Sequence, residues 1–129
     1  MTFNIDTVPE KYFYQLIEIL KVFAPFNILR KRQREVFAEI LYYNYKFSGK
    51  DVELTNRLVF DFKTRQEISE KLKISKANLY NIYKELRQIG LLSKDKDEIN
   101  PKFRYYYLQY PNIEFKFKSE IAKEDTVKV

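Results

Sequence analysis

Residues 64–90, TRQEISEKLKISKANLYNIYKELRQIG, decide the fold of this chain. Their apolar residues have the spacing of two short helices joined by a tight turn. The apolar positions are Ile68, Leu72, Ile74, Leu79 and Ile82. Two helices that cross steeply meet at only a few side chains, so this spacing predicts one small core shared by both.

The ends of both helices carry capping signals. Thr64 and Glu67 match the T-x-x-E capping box, which predicts the start of the first helix. Ser75 is predicted to be the N-cap of the second helix, which then runs from Lys76 to Gln88. Gly90 is predicted to end that helix in a left-handed conformation. These signals, together with the spacing, favour a helix-turn-helix.

The exposed face of the second helix is uncharged to basic. It consists of Lys76, Ala77, Asn78, Tyr80, Asn81 and Lys84. No carboxylate occurs on this helix before Glu85, so the face suits a groove of duplex DNA. The caps and the apolar spacing alone would also fit a helical hairpin in an ordinary α-helical core.

Composition limits the possible functions. The 129 residues suffice for one soluble domain with its own core. The chain has no His and no Cys, which removes the commonest metal ligands and acid–base groups. Its two glycines cannot form a phosphate-binding glycine loop. We therefore expect no enzyme activity, no catalytic residues, no metal and no cofactor.

The sequence also argues against a membrane protein or a secreted one. No apolar run reaches the roughly 20 residues that a membrane-spanning helix needs. The first twelve residues, MTFNIDTVPEKY, lack the basic and then apolar layout of a secretory signal. We expect a cytoplasmic protein, in the host cytoplasm if the chain is viral.

The net charge of +6 is concentrated in two regions. Residues 63–104 hold eleven cations against six anions, and residues 30–34, RKRQR, add four cations. The pentapeptide starts a predicted helix, where cations oppose the helix dipole by about 0.3–1 kcal/mol each. A sequence selected only for helix stability would avoid this, so we expect phosphate contacts from Arg30, Lys31, Arg32 and Arg34. The alternative is a solvated, solubilising surface.

Two longer helices are predicted before residue 64. The first spans Pro9 to Phe23, and the second spans Ile28 to about Lys46. Their inward positions are predicted to be Phe13, Leu16, Ile17 and Leu20 on the first helix, and Val36, Phe37, Ile40 and Leu41 on the second. The apolar arc of the first helix is broader than one packing partner requires. We therefore expect a homodimer, paired through Tyr12, Leu16, Ile19 and Phe23; the alternative is that this helix only caps its own core.

Alternating apolar residues predict short strands. They lie at 57–62, 91–93, 103–109 and 112–118. The loop between the second and third strands contains Asp95, Asp97 and Glu98 at its tip, and these would repel phosphate. The sequence therefore predicts a mainly α fold with a small antiparallel β-sheet.

This order of elements, together with the residue types quoted above, resembles the winged helix-turn-helix superfamily from Leu29 to Gln109. The likeness is to MarR-like proteins and plasmid replication initiators, and residues 58–92 also resemble small helix-turn-helix proteins of tailed bacteriophages. The resemblance implies that helix 76–88 enters the major groove while the hairpin, with Lys102 and Arg104, touches backbone or minor groove. The chain departs from the pattern at Lys73, where such turns often have glycine.

These observations predict three regions. Residues 1–27 form an N-terminal helix and a possible dimerisation element, residues 28–118 form the winged helix-turn-helix domain, and residues 119–129 form a flexible charged tail. The leading hypothesis is a sequence-specific double-stranded-DNA-binding protein, a transcriptional regulator encoded by a phage or plasmid. The alternatives are a replication initiator, or a phage structural or assembly protein that uses the domain to bind a protein such as a polymerase.

Under the leading hypothesis each candidate residue has a role. Lys76 and Lys84 would fix phosphates, Asn78 and Asn81 would read base edges, and Tyr80 would pack on a thymine methyl group or a sugar. The full set of predicted DNA contacts is Ser75, Lys76, Ala77, Asn78, Tyr80, Asn81, Lys84, Arg30, Lys31, Arg32, Arg34, Lys102 and Arg104. A further hypothesis is that tyrosines stack on unpaired bases, through Tyr42, Tyr43, Tyr45, Tyr105, Tyr106 and Tyr107.

Overall fold

The computed structural model describes residues 8–103, which form five α-helices. The helices are α1 (Pro9–Leu20), α2 (Lys31–Lys46), α3 (Val52–Val59), α4 (Phe62–Leu72) and α5 (Lys76–Ile89). Short 3₁₀ turns occur at Phe26–Ile28 and Pro101–Phe103. Within residues 8–103 strand-type pairing is limited to isolated bridges. The predicted mainly α fold with a small antiparallel sheet, the winged helix-turn-helix, is therefore wrong in its β part.

Helix α2 is the centre of the bundle and packs against α1, α3, α4 and α5. The predicted inward residues of α1 and α2 are confirmed, since each is at most 2% exposed. The predicted bounds of these helices are less accurate. Helix α1 ends at Leu20 rather than Phe23, and α2 begins at Lys31 because Phe26–Ile28 forms a separate 3₁₀ turn.

The strand predicted at 57–62 is wrong. These residues end α3 and begin α4, and an aspartate caps each helix. The Asp51 carboxylate accepts the Leu54 N–H at 2.8 Å, and the Asp61 carboxylate accepts the Thr64 N–H at 2.9 Å. These caps stabilise the first turns of both short helices, so the alternation of apolar residues does not correspond to a strand.

The hairpin predicted after α5 is also wrong within the described residues. Leu92 and Ile99 form a single antiparallel bridge, and Ser93 donates its N–H to the Glu98 carbonyl at 3.0 Å. The chain then enters the 3₁₀ turn at Pro101–Phe103 instead of a strand. Asn100 also donates its N–H to the Leu91 carbonyl at 2.9 Å, and within residues 8–103 no longer ladder extends from this bridge. The rest of the predicted strand at 103–109, and all of the one at 112–118, lie outside the described residues.

The helix-turn-helix itself is confirmed as a pair of helices. Ser75 caps α5 by accepting the Asn78 N–H at 3.1 Å, and Gly90 follows α5 with a φ of 102°. Lys73 forms the bend with a left-handed φ of 56°. This is the turn position at which helix-turn-helix proteins often have glycine. The predicted Thr64 and Glu67 capping box is wrong. The Thr64 hydroxyl donates to the Leu58 carbonyl at 2.7 Å.

A buried carboxylate connects α4 to the rest of the bundle. Glu39 on α2 is fully buried; it accepts a hydrogen bond from the Tyr14 hydroxyl and forms an ion pair with Lys71, whose Nζ lies 2.8 Å from Glu39 Oε2. Burial and the bond to Glu39 raise the pKa of Tyr14 well above its usual range. This network ties α1, α2 and α4 together and so fixes the orientation of the helix that precedes α5.

The face of α1 predicted for dimer contacts is mostly inside the protomer. Tyr12 and Leu16 are fully buried in the chain's own core, because α1 packs directly on α2. Ile19 is partly buried, and only Phe23, at 43% exposed, lies at the surface. Tyr12 and Leu16 are therefore not accessible for the predicted pairing in this fold. No helix among residues 8–103 is both long enough and apolar enough to span a bilayer.

Candidate nucleic-acid interface

Helix α5 presents an exposed ridge to solvent, as the sequence predicts. Each of the six residues proposed for its exposed face is exposed, and Ser75 at the N-cap is exposed as well. On the inner side Leu79 and Ile82 are 3% and 7% exposed, which confirms the predicted rotation of the helix. Different surfaces lie on the two flanks of this ridge.

One flank borders a polar groove of about 290 Å³. We call this surface the polar groove; it is lined by Arg30, Arg32, Lys73, Ile74, Ser75, Asn78, Asn81, Ile82 and Glu85. The start of α2, the turn before α5 and the first three turns of α5 all line this groove. Two residues of the basic pentapeptide therefore lie beside both asparagines predicted to read bases.

Three side chains connect the start of α2 to α5. Arg30 Nη2 lies 2.6 Å from Glu85 Oε1, and Gln33 Nε2 donates to the same oxygen at 2.9 Å. Gln33 Oε1 accepts the Arg30 backbone N–H at 2.8 Å, so the buried Gln33 side chain uses both ends of its amide. This network fixes where Arg30 lies relative to α5.

The four cations of residues 30–34 that were predicted to contact phosphate are divided between two surfaces. Arg30 and Arg32 line the polar groove, and Arg32 pairs with Glu35 at 2.9 Å. Lys31 and Arg34 line a separate depression beside α1. Arg34 donates to the Leu29 carbonyl at 2.8 Å and lies 3.5 Å from Glu18, where it serves to pack α1 on α2. Hydrogen bonding to Lys21 and the charge of Arg34 lower the pKa of Glu18.

The other flank of α5 borders an aromatic cleft of about 370 Å³. We call this surface the aromatic cleft; it is lined by Phe60, Phe62, Arg65, Gln66, Lys76, Leu79, Tyr80, Tyr83, Arg87 and Asp97. Two predicted DNA contacts, Lys76 and Tyr80, therefore belong to this flank. Lys76 Nζ lies 4.7 Å from the centroid of the Phe62 ring, a cation–π contact.

Other predicted contacts lie elsewhere. Ala77 and Lys84 are exposed and line neither the polar groove nor the aromatic cleft. Lys102 is exposed near the end of the described residues, with its Nζ 6.0 Å from the Phe103 ring. It too lines neither surface. Arg104 lies outside the described residues.

The tyrosines of α2 do not form an open stacking surface. Tyr43 is 7% exposed and donates to Glu67 at 2.8 Å, while Tyr42 and Tyr45 pack partly buried against the core. Burial and the bond to Glu67 raise the pKa of Tyr43 well above its usual value. The other proposed stacking residues, 105–107, lie outside the described residues.

Sequence reasoning missed three residues of the polar groove and its support. In the sequence Lys73 stands out only as a non-glycine turn residue, Gln33 only as the uncharged member of the basic run, and Glu85 only as the first acid of α5. A signal for Gln33 was available, since a glutamine three residues after an N-cap can return to the cap backbone. The contact between Gln33 and Glu85 had no local signal.

No protein-family model matches the chain, and neither a curated protein sequence nor a solved structure matches it. Among residues 8–103 no group of three or more acidic residues is placed to hold a metal ion. The candidate site is therefore defined by its own geometry, an exposed helix with a basic and amide-bearing groove on one side.

Proposed function

We propose that this protein binds double-stranded DNA in a sequence-specific manner, with α5 as the recognition helix in the major groove. The ridge of α5 carries amides and cations, and its first carboxylate, Glu85, is engaged by Arg30 and Gln33. A helix with such a face fits the width of the major groove and can present hydrogen-bonding groups to base edges.

The observation that carries this proposal is the polar groove. Arg30 and Arg32 come from a different helix, yet they line the same surface as Asn78 and Asn81. Phosphate binding and base reading need cations and amides within reach of one duplex, since positioning and specificity come from different contacts. The packing of α2 against α5 brings both kinds of group to one surface.

The roles of individual residues follow from where they lie. Arg30, Arg32 and Lys73 would bind phosphates across the polar groove, while Lys84 would bind a phosphate from the ridge. Ser75, the N-cap of α5, lines the same groove. Helix N-termini attract phosphate through unsatisfied N–H groups and the helix dipole.

The base-reading roles belong to the exposed amides of α5. Asn78 and Asn81 can each donate and accept, which suits the paired donor and acceptor of adenine in the major groove. Tyr80 is 63% exposed and can pack on a thymine methyl group or a sugar. Ala77 offers a small apolar contact beside them.

The proposed biological role is that of a transcriptional regulator, encoded by a phage or plasmid and acting in the cytoplasm of the host cell. A homodimer would double the few base contacts that one recognition helix can make. Its contact surface would have to differ from the α1 face predicted from sequence. A replication initiator remains the neighbouring hypothesis, because it too would bind duplex DNA through such a helix.

The experiment that tests the proposal is a salt titration of binding to duplex and single-stranded DNA, followed by fluorescence anisotropy. If these four cations neutralise phosphates, the log–log slope for duplex DNA should be about −3.6, and duplex should bind more tightly than single strand. Absence of duplex binding at low salt, or a slope near zero, would contradict the proposal.

The alternative of a phage assembly factor or polymerase-binding protein predicts apolar anchors on the exposed face of α5. Tyr80 is the one large apolar side chain exposed on this helix, next to Phe62 of α4 at 61% exposed. The majority of the ridge is polar or basic. The excess of polar and basic residues over apolar ones favours DNA, rather than another protein, as the partner of the ridge.

A further inference from the structure

The aromatic cleft has the dimensions of a small-molecule site. Its volume of about 370 Å³ falls within the roughly 300–1,000 Å³ that ligand pockets occupy. Its floor is formed by Phe60, Leu79 and Tyr83, each at most 6% exposed. A concave surface with an apolar floor and a few polar groups is the usual form of a ligand site.

Two large aromatic rings stand at the opening of this cleft. Phe62 is 61% exposed and Tyr80 is 63% exposed, although the other large apolar residues of their two helices are buried or partly buried. Exposed aromatic rings grouped at one opening can stack on a planar partner, which removes their apolar surface from water.

The rim of the cleft is cationic. Arg65, Lys76 and Arg87 line it, and Asp97 is the one carboxylate that lines it among the described residues. The Asp97 carboxylate is already paired with the Arg87 guanidinium. Arg65 and Lys76 therefore have no carboxylate partner on this rim and can attract an anionic group into the apolar cleft.

Tyr83, which lines the cleft, carries a buried hydroxyl group. Tyr83 is 4% exposed, and its hydroxyl has no hydrogen-bond partner among the described residues. Buried polar groups without a partner are uncommon in folded proteins and call for an explanation such as a missing ligand. Burial raises the pKa of Tyr83, while the positive charges of Arg65 and Arg87 oppose that increase.

From these observations we infer that the aromatic cleft binds a small planar aromatic ring that carries an anionic group. The ring would stack against Phe62 and Tyr80, and the anionic group would pair with Arg65 and Lys76. The Tyr83 hydroxyl would donate a hydrogen bond to an oxygen of the ligand. A phosphate on a nucleoside and a carboxylate on an aromatic acid both have this chemistry.

Ligand binding would also affect the ridge of α5. Lys76 and Tyr80 are shared between the aromatic cleft and the set of predicted DNA contacts. A ligand that engages them would compete with DNA for both side chains, so each would weaken the binding of the other by the same factor. This consequence rests on the proposed function, whereas binding in the cleft does not.

Isothermal titration calorimetry without DNA tests the inference directly. The anionic probes are adenosine 5′-monophosphate and indole-3-acetate, and the matched neutral probes are adenosine and indole-3-acetamide. We expect at least one anion to bind one site with a Kd below about 1 mM, and its neutral counterpart to bind at least about tenfold more weakly. Binding of only one anion would identify the phosphate or the carboxylate as the ligand's charged group.

Three variants connect any binding to the cleft. Phe62→Ala should weaken binding about tenfold or more, and Tyr83→Phe, which removes only the hydroxyl, should weaken it several-fold. Asn78→Ala, on the opposite flank of α5, should leave it unchanged. Both Phe62 and Asn78 are exposed, so neither change disturbs the core. Failure of both anions to saturate, equal binding of the neutral probes, or full binding by Phe62→Ala would overturn the inference. Because no DNA is present, such a failure leaves the proposed DNA binding intact.

Discussion

Arg30 and Glu85 are 55 residues apart in sequence, and their side chains form an ion pair with 2.6 Å between Nη2 and Oε1. The Arg30 side chain is 65% exposed, so solvent screens the pair and its contribution to stability is small, about 0–1 kcal/mol. Its importance is geometric. Glu85 and Gln33 hold the guanidinium of Arg30 at the polar groove, beside the amides of α5.

The first prediction concerns Glu85. Glu85→Ala should release Arg30 and lower the ratio of affinities for a preferred duplex over a scrambled one, because the orientation of Arg30 is lost. Glu70→Ala removes the same charge from an exposed site on α4 and is the matched control. It should raise the affinity for both duplexes alike. Equal behaviour of the two variants in anisotropy titrations would show that Glu85 does not orient a DNA contact.

The second prediction separates the two halves of the basic pentapeptide. Arg32 lines the polar groove, whereas its neighbour Lys31 lines the depression beside α1. Arg32→Gln should therefore reduce the log–log salt slope of duplex binding by about 0.9, while Lys31→Gln should change it little. Equal loss of slope in both variants, or no loss in Arg32→Gln, would remove the polar groove from the DNA interface.

The helical part of the fold could be predicted from sequence because its signals are local. The spacing of Phe13, Leu16 and Leu20, and the caps at Ser75 and Gly90, depend on residues within one or two turns. The strand predicted at 57–62 was wrong because a short apolar alternation also fits the junction of two capped helices. Asp61 was the signal that distinguished them, since its position before α4 favours an N-cap.

The candidate site could be predicted only in part, because some of its features are local in sequence and others depend on how the helices pack. The exposed face of α5 follows from its periodicity, and the structure confirms that exposure. The division of the pentapeptide depends on how α2 crosses α1 and α5, which no local pattern encodes. The bond from Gln33 to Glu85 and the aromatic cleft between α4 and α5 are likewise long-range features of packing.

The third prediction concerns the core of the helix-turn-helix. Leu79→Ala and Ile82→Ala each remove buried packing between α5 and its neighbours, and each should cost about 2–5 kcal/mol of unfolding free energy. Asn81→Ala, on the exposed ridge, should cost less than about 0.5 kcal/mol. Urea denaturation followed by circular dichroism measures all three. Equal losses would mean that the rotation of α5 is incorrect.

The fourth prediction concerns the two left-handed residues that end α4 and α5. Lys73, with a φ of 56°, pays a backbone penalty that glycine avoids, so Lys73→Gly should stabilise the fold by about 1 kcal/mol. Gly90→Ala should destabilise the fold by about 1 kcal/mol, because residue 90 has a φ of 102°, which alanine rarely adopts. No steric clash adds to this cost, since no neighbouring atom lies within 4 Å of the added methyl group. Thermal unfolding of both variants checks the signs.

Lys73→Gly should also weaken duplex binding, since it removes a cation from the polar groove.

The most direct test of sequence-specific DNA binding by α5 is selection of bound duplexes from a random library. The wild-type protein and the double variant Asn78→Ala/Asn81→Ala are compared at the same salt concentration. Both asparagines are exposed, so the variant keeps the fold and its phosphate contacts but loses the amides that read bases. The account predicts that the wild type enriches one motif and that the double variant still binds duplex DNA without enriching that motif. Failure of the wild type to enrich any motif, or enrichment of the same motif by the double variant, would contradict it.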